Sequence, residues 1–150
     1  MLTIAAFIFT LGLLVTVHEY GHFQVAKWCG IKVLKFSIGF GKPLWSKKFG
    51  QDQTEFILAA IPLGGYVKML DEREFSPEEF EQASYSNTEL HRAFNRQSVS
   101  KRIAVVLAGP VANLLLAIAL YWILFMMGVV GMKPTLGKVI EQSPAASANF

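Results

Sequence analysis

The chain has almost no cysteine. Cys29 is the only one, so no disulfide can close within the sequence and no cysteine pair is available for a structural zinc site. A lone cysteine just past an apolar stretch reads as a small half-buried hydrophobe rather than a reactive thiol. Charge is also scarce: Asp, Glu, Lys and Arg make up 17% of 150 residues against 53% hydrophobic, with a net charge of +3. The Lys and Arg residues flank apolar runs instead of gathering on one face with polar or aromatic partners, so no nucleic-acid footprint is present. Histidine occurs only at His18, His22 and His91, which confines imidazole chemistry to few places.

What the chain has in abundance is apolar residues, in two blocks near its ends. Residues 2–17 are interrupted only by Thr3, Thr10, Gly12 and Thr16. The helix should continue through His18, Glu19 and His22 to Ala26, about 25 residues and enough to span a bilayer. A cleaved signal peptide fits poorly, because there is no basic leading region and no small-residue cleavage site. The second block covers residues 103–130 and is broken early by Gly109, Pro110 and Asn113. Pro110 lacks an N–H and should kink the helix, freeing the carbonyl of Val106. Within a membrane such a break is tolerated only where protein or water satisfies the exposed groups.

Lys27, Lys32, Lys35 and Lys42 follow the first block, and Arg92, Arg96, Lys101 and Arg102 precede the second. Near the outer ends stand only Lys133 and Lys138. The positive-inside rule therefore puts the connecting segment in the cytoplasm and both termini on the opposite, periplasmic side.

The connecting segment has two characters. Residues 31–38 alternate apolar and polar, as in a half-buried strand, and residues 54–61 form an apolar strand with a polar start. Gly39, Gly41, Pro43, Gly50, Gly64 and Gly65 punctuate the turns. Phe40, Leu44, Trp45, Ile57, Ile61 and Tyr66 make this region unusually apolar for a cytoplasmic loop, which a β-hairpin or small sheet dipping into the membrane surface would explain. Residues 71–102 are polar, and Ser76, Pro77 and Glu79 form a helix-start signature. In the tail, residues 136–140 could be a strand and residues 143–146 could open a helix, as if a domain began there.

The expected fold is thus an α-helical membrane protein. Residues 1–26 form a first transmembrane helix, 27–70 a membrane-associated β region, 71–102 a cytoplasmic polar segment, 103–130 a second transmembrane helix and 131–150 the start of a further domain.

His18-Glu19-Tyr20-Gly21-His22 is H-E-x-x-H. Two histidines four apart share one helical face, so both imidazoles can reach one Zn²⁺, and the Glu between them can act as general base. Chance alone produces this pattern in roughly one such chain in a few hundred, so its setting matters more than its presence. Ionisable groups inside a spanning helix cost roughly 2.5–3.5 kcal/mol each at its centre, which makes them functional by default. The alternative is that the three merely sit at the helix end and reach out to water. A catalytic zinc needs a third protein ligand, and His91, Asp71 and Glu72 are poorly placed to supply it. Asn113 lies one turn beyond Gly109 on the same face. Its amide could hydrogen-bond a substrate backbone or the transition-state oxygen, or join two helices.

Four elements together carry a resemblance. They are the H-E-x-x-H in the first span, Phe36-Ser37-Ile38-Gly39-Phe40-Gly41, Ile61-Pro62-Leu63-Gly64-Gly65-Tyr66-Val67-Lys68-Met69, and Gly109-Pro110-Val111-Ala112-Asn113. In order and spacing the chain resembles the site-2 proteases, the intramembrane zinc metalloproteases, and among them the RseP-type bacterial members. Gly137-Lys138-Val139-Ile140 and Ser143-Pro144-Ala145 are similar to the opening of a PDZ domain. The resemblance implies a Zn²⁺ cofactor held by His18 and His22, with Glu19 and Asn113 at the catalytic site. It implies a third ligand, an Asp in a later transmembrane helix, without which this chain is catalytically incomplete. It further implies a multi-pass protein of the bacterial inner membrane that cleaves transmembrane segments of single-span proteins, such as anti-sigma factors in a stress response and remnant signal peptides. The glycine-rich β region would present a strand edge to substrate, with Gly39, Gly41, Ile57, Leu58, Ala59, Gly64 and Gly65 as candidate contacts. A non-catalytic scaffold that kept the motif is a rival, but zinc binding alone does not need Glu19. A soluble zinc protease tethered to a membrane is another, but apolar residues run directly up to His18.

Overall fold

A computed structural model describes residues 1–76 and 85–128. Its elements are helix α1 (Leu2–Trp28), strands β1 (Val33–Phe49) and β2 (Thr54–Met69), a 3-10 turn at Glu72–Glu74, short helix α2 (Asn87–Leu90), a 3-10 turn at Phe94–Arg96, and helix α3 (Val99–Met126). The chain divides into two compact units, Met1–Ala119 and Leu120–Phe150. The first holds everything described below; of the second, the described residues are the last turns of α3 and the two residues after it. The expected helix start at Ser76-Pro77-Glu79 and the PDZ-like segment of residues 131–150 lie outside the described residues, the former from Pro77 onward.

Both long helices are apolar enough to cross a membrane, with mean hydropathies of 1.8 for α1 and 2.5 for α3. Phe7, Phe9, Leu114 and Leu115 stand exposed on them, as lipid-facing side chains do. α1 runs past the expected Ala26 to Trp28 and then stops sharply. Gly30 takes φ +78°, its N–H bonds the Lys27 carbonyl and the Ile31 N–H bonds the Ala26 carbonyl, a Schellman ending that only a residue without Cβ adopts easily. α3 begins at Val99, ahead of the expected residue 103. Lys101 and Arg102 are good helix formers that a count of apolar residues overlooks.

The expected strands exist but are much longer, because each bends and continues. Phe49 opposite Thr54 closes a hairpin, and Trp45–Lys48 run antiparallel to Glu55–Leu58. The first part of β1 lies between two segments of β2. Lys35–Ile38 face Glu55–Leu58 on one side, with residue numbers rising together, and Gly65–Lys68 on the other, with numbers running oppositely. The side chain of Thr54 donates to the Val33 carbonyl at 2.9 Å across the same seam. Gly39 and Gly41, at φ +90° and +87°, make the bend.

This folded hairpin packs on the C-terminal end of α1. Phe23 and Ala26 of α1, Ile31, Val33 and Phe36, and Val105 of α3 form the core, with the Phe23 ring 5.4 Å from those of Phe36 and Phe56. The polar segment then clips the parts together. Arg92 donates to both carboxylate oxygens of Asp52 in the hairpin turn, at 2.6 and 2.9 Å, and to the Gly30 carbonyl at 2.9 Å. The guanidinium holds the Asp52 carboxyl below its ordinary range. Lys32 pairs with Glu89 and helps hold that carboxyl down to about 2. Ser86 and Glu89 cap α2 reciprocally, a capping box ten residues beyond the Ser76 signature read from sequence.

Candidate metal centre

α1 meets α3 where neither carries much side chain. A Cβ placed on Gly21 would lie 2.5 Å from the Ala108 carbonyl oxygen and 2.8 Å from the Ala112 Cβ. Small residues let helix backbones approach this closely in a membrane. The face of α1 that carries His18, Glu19 and His22 is thereby pressed toward α3 and the sheet.

The two histidines converge. Their Nε2 atoms are 3.2 Å apart and their rings meet edge to face. Two nitrogens bound to one tetrahedral zinc at its usual bond length stand about 3.3 Å apart, so the pair is spaced as a zinc would require. The space in front of them is kept open by Gly109: a Cβ there would sit 2.4 Å from His22 Nε2 and 2.7 Å from His18 Nε2. His22 Nδ1 lies 2.6 Å from the Val105 carbonyl oxygen. A carbonyl only accepts, so Nδ1 carries the proton and Nε2 keeps its lone pair for a metal. That carbonyl stands one residue ahead of the Val106 carbonyl that Pro110 leaves without an N–H. Asn113 Nδ2 lies 3.3 Å from His18 Nδ1.

Glu19 lines two clefts at once. One, of ≈ 340 Å³, also includes His18, Phe40, Gly64, Gly65 and Asn113. The other, of ≈ 180 Å³, includes His22, Val67, Met69 and Val105. The last segment of β2 therefore runs past the carboxylate, and a Cβ on Gly65 would come 3.0 Å from Glu19 Cγ.

The site thus brings together His18, Glu19, His22, Asn113, Gly64 and Gly65. It does not bring in the other glycines and the apolar run. Gly39, Gly41, Ile57 and Ala59 line a separate cavity of ≈ 260 Å³ with Lys35 and Ser37. Of the candidate contacts in the apolar run, the register places Ile57 and Leu58 between two neighbouring segments. Ile57 pairs with both Ser37 and Ser46, and Leu58 with both Ile38 and Trp45, so those backbones are enclosed on both sides. Ala59 pairs with Pro43 and is buried. Of the rejected ligand candidates, Asp71 is bound by Arg73 and Glu72 by Asn95 and Arg96. Among the described residues no group of three His, Cys, Asp or Glu side chains could hold a metal.

Gly109, read from sequence only as part of the element at residues 109–113, stands against both imidazoles. Its signal is a missing side chain one turn before Asn113, which no motif for metal ligands contains. Gly109→Ala should lower zinc affinity by about a hundredfold or more, beyond what loss of an outer partner costs. Zinc content and competition with a chelator in the purified full-length protein measure it; retention of wild-type affinity would show that the metal does not occupy this space.

Comparison with known proteins agrees with this geometry. The sequence profile of peptidase family M50 matches residues 6–149. The protein named Protease RseP of Yersinia pestis is 50% identical over 99% of this chain, and Regulator of sigma-E protease RseP of Escherichia coli is 51% identical over 98%. A Vibrio cholerae protein whose name describes a zinc metalloprotease is 53% identical over 97%. The chain spans 31% of the length of the first two and 30% of the third. With nearly its whole length matched and the paired histidines in place, the chain belongs to peptidase family M50, the site-2 proteases.

Proposed function

We propose that this chain carries the H-E-x-x-H part of an intramembrane zinc metalloprotease that hydrolyses peptide bonds in the membrane-spanning segments of single-span proteins. The observation that carries the reading is the pair of Nε2 atoms 3.2 Å apart beside Glu19, on a helix apolar enough to cross a membrane. A third protein ligand comes from outside the described residues; the resemblance points to an Asp in a later transmembrane helix. When bound, Zn²⁺ supplies Lewis-acid chemistry, polarising the scissile carbonyl and lowering the pKa of water to about 7.

The chain's own residues do the rest. His18 and His22 hold the metal through Nε2. Glu19 takes a proton from the attacking water as its oxygen bonds the carbonyl carbon, then passes that proton to the nitrogen as the C–N bond breaks. A substrate helix must first unwind, because its carbonyls are already hydrogen-bonded within it. The segment from Gly64 to Met69 suits an unwound strand: β1 covers one of its sides, and Val67 and Met69 share a cleft with Glu19. An extended peptide added to its other side would lie beside the carboxylate. Gly65 lets that strand come close to α1, and Gly64 makes room for the Phe40 ring. The name of the Escherichia coli relative, Regulator of sigma-E protease RseP, supports regulated proteolysis linked to sigma-E as the context, and the resemblance adds anti-sigma factors as the substrate class and a stress response as the setting. The resemblance supports a place in the bacterial inner membrane, and the distribution of Lys and Arg supports putting the hairpin on the cytoplasmic side.

Three outcomes test the reading in the full-length protein. Glu19→Gln should reduce cleavage of a transmembrane substrate by about 10²–10⁴-fold while zinc stays bound, since the base is lost and the ligands remain; activity within a few-fold of wild type sinks the assignment. On intact cells, a cysteine introduced at Asn87 should be shielded from a membrane-impermeant thiol reagent and one at Thr3 labelled, and the reverse pattern would invert the orientation. A proline scan of residues 66–69 should include positions where cleavage falls strongly although zinc content and protein level hold, because an outward N–H is removed. Proline at Ile57 or Leu58 should instead lower protein level. Normal cleavage by every folded, zinc-loaded variant in 66–69 would rule out strand addition.

A further inference from the structure

Resting on the zinc reading of the site, a second constraint follows from proton bookkeeping at His18. If Nε2 faces the metal position beside His22 Nε2, the neutral imidazole carries its proton on Nδ1, and Nδ1 is then a donor. The group in front of it is the Asn113 amide, with Nδ2 3.3 Å away. That arrangement sets donor against donor. At the other end of the same amide, Asn113 Oδ1 is buried and has no hydrogen-bond partner. A buried amide oxygen left unpaired costs about 1–3 kcal/mol. One change removes the clash of donors and pairs the oxygen, with Nδ2 taking the position where Oδ1 stood. Amide nitrogen and oxygen are nearly equivalent in shape, so turning the group by half a rotation brings Oδ1 to the His18 Nδ1–H.

We propose that Asn113 is a positioning residue of the metal centre: its amide oxygen accepts from His18 Nδ1–H, fixing that ring's tautomer and orientation, as the Val105 carbonyl does for His22. The arrangement on α3 gives this a structural logic. Val105, Gly109 and Asn113 fall at i, i+4 and i+8, one stripe of the helix. The outer two orient one histidine each, and the middle one leaves room between them. Asn113 then acts through His18, and its amide is not free to hold a substrate carbonyl or a transition-state oxygen.

The test compares wild type, Asn113→Asp and Asn113→Leu in the full-length protein, reading the zinc dissociation constant by chelator competition and the visible spectrum of the Co²⁺-substituted protein. Asn113→Leu removes the acceptor and should weaken zinc binding about 10–100-fold with an altered Co²⁺ spectrum. Asn113→Asp keeps an acceptor oxygen and should restore affinity to within a few-fold of wild type with a wild-type spectrum. Wild-type zinc affinity in Asn113→Leu, with cleavage lost, overturns the proposal in favour of direct contact with the reacting atoms and leaves the protease reading intact. Asn113→Asp binding no better than Asn113→Leu also overturns it. Failure of the wild type itself to bind zinc overturns both the proposal and the reading beneath it.

Discussion

The close approach of α1 to α3 is what the rest of this structure depends on. It is achieved by omission. Gly21 lets the α3 backbone come within a distance that any Cβ would forbid, and at Gly109 a Cβ would collide with two imidazoles. In lipid there is no hydrophobic drive between apolar helices, so packing of small surfaces must supply the association. Here the same packing that joins the helices also delimits the metal position. A stable pairing and a usable site are one geometric condition.

The sheet extends this logic to the third wall. Because β1 and β2 both bend, a two-strand hairpin yields an interior segment at Lys35–Ile38 and leaves the last segment of β2 beside Glu19. The hairpin turn is tied back through Asp52, Arg92 and the Gly30 carbonyl at the end of α1. Arg92 thus reaches two parts of the chain that are far apart in sequence. It joins the end of α1 to the hairpin turn without entering the site.

Sequence alone disclosed the parts whose signal is periodic or local. Apolar length marked both helices, and the i, i+4 spacing of His18 and His22 placed their rings together. The glycines at 39 and 41 marked a bend, as their positive φ shows. Three other things were hidden for physical reasons. Alternation is the same in an enclosed strand and an edge strand, so it could not tell that Ile57 and Leu58 are paired twice while residues 65–68 border the cleft. The capping box at Ser86 opens a helix of four residues, too short for periodicity to mark. The spacing from Gly109 to Asn113 was legible, but that a Cβ at 109 would meet both imidazoles is set by how α3 packs on α1.

The stripe formed by Val105, Gly109 and Asn113 has an evolutionary consequence. Each residue added to or removed from a helix turns everything beyond it by about 100°. A single insertion or deletion between positions 105 and 113 would therefore swing one end of the stripe out of line with the other, while leaving the segment as apolar and as helical as before. Substitutions that preserve hydropathy can accumulate on the lipid side of α3, yet its length in this interval is pinned. Drift in this family should accordingly change what the helix is made of far more readily than how many residues it counts between those two points.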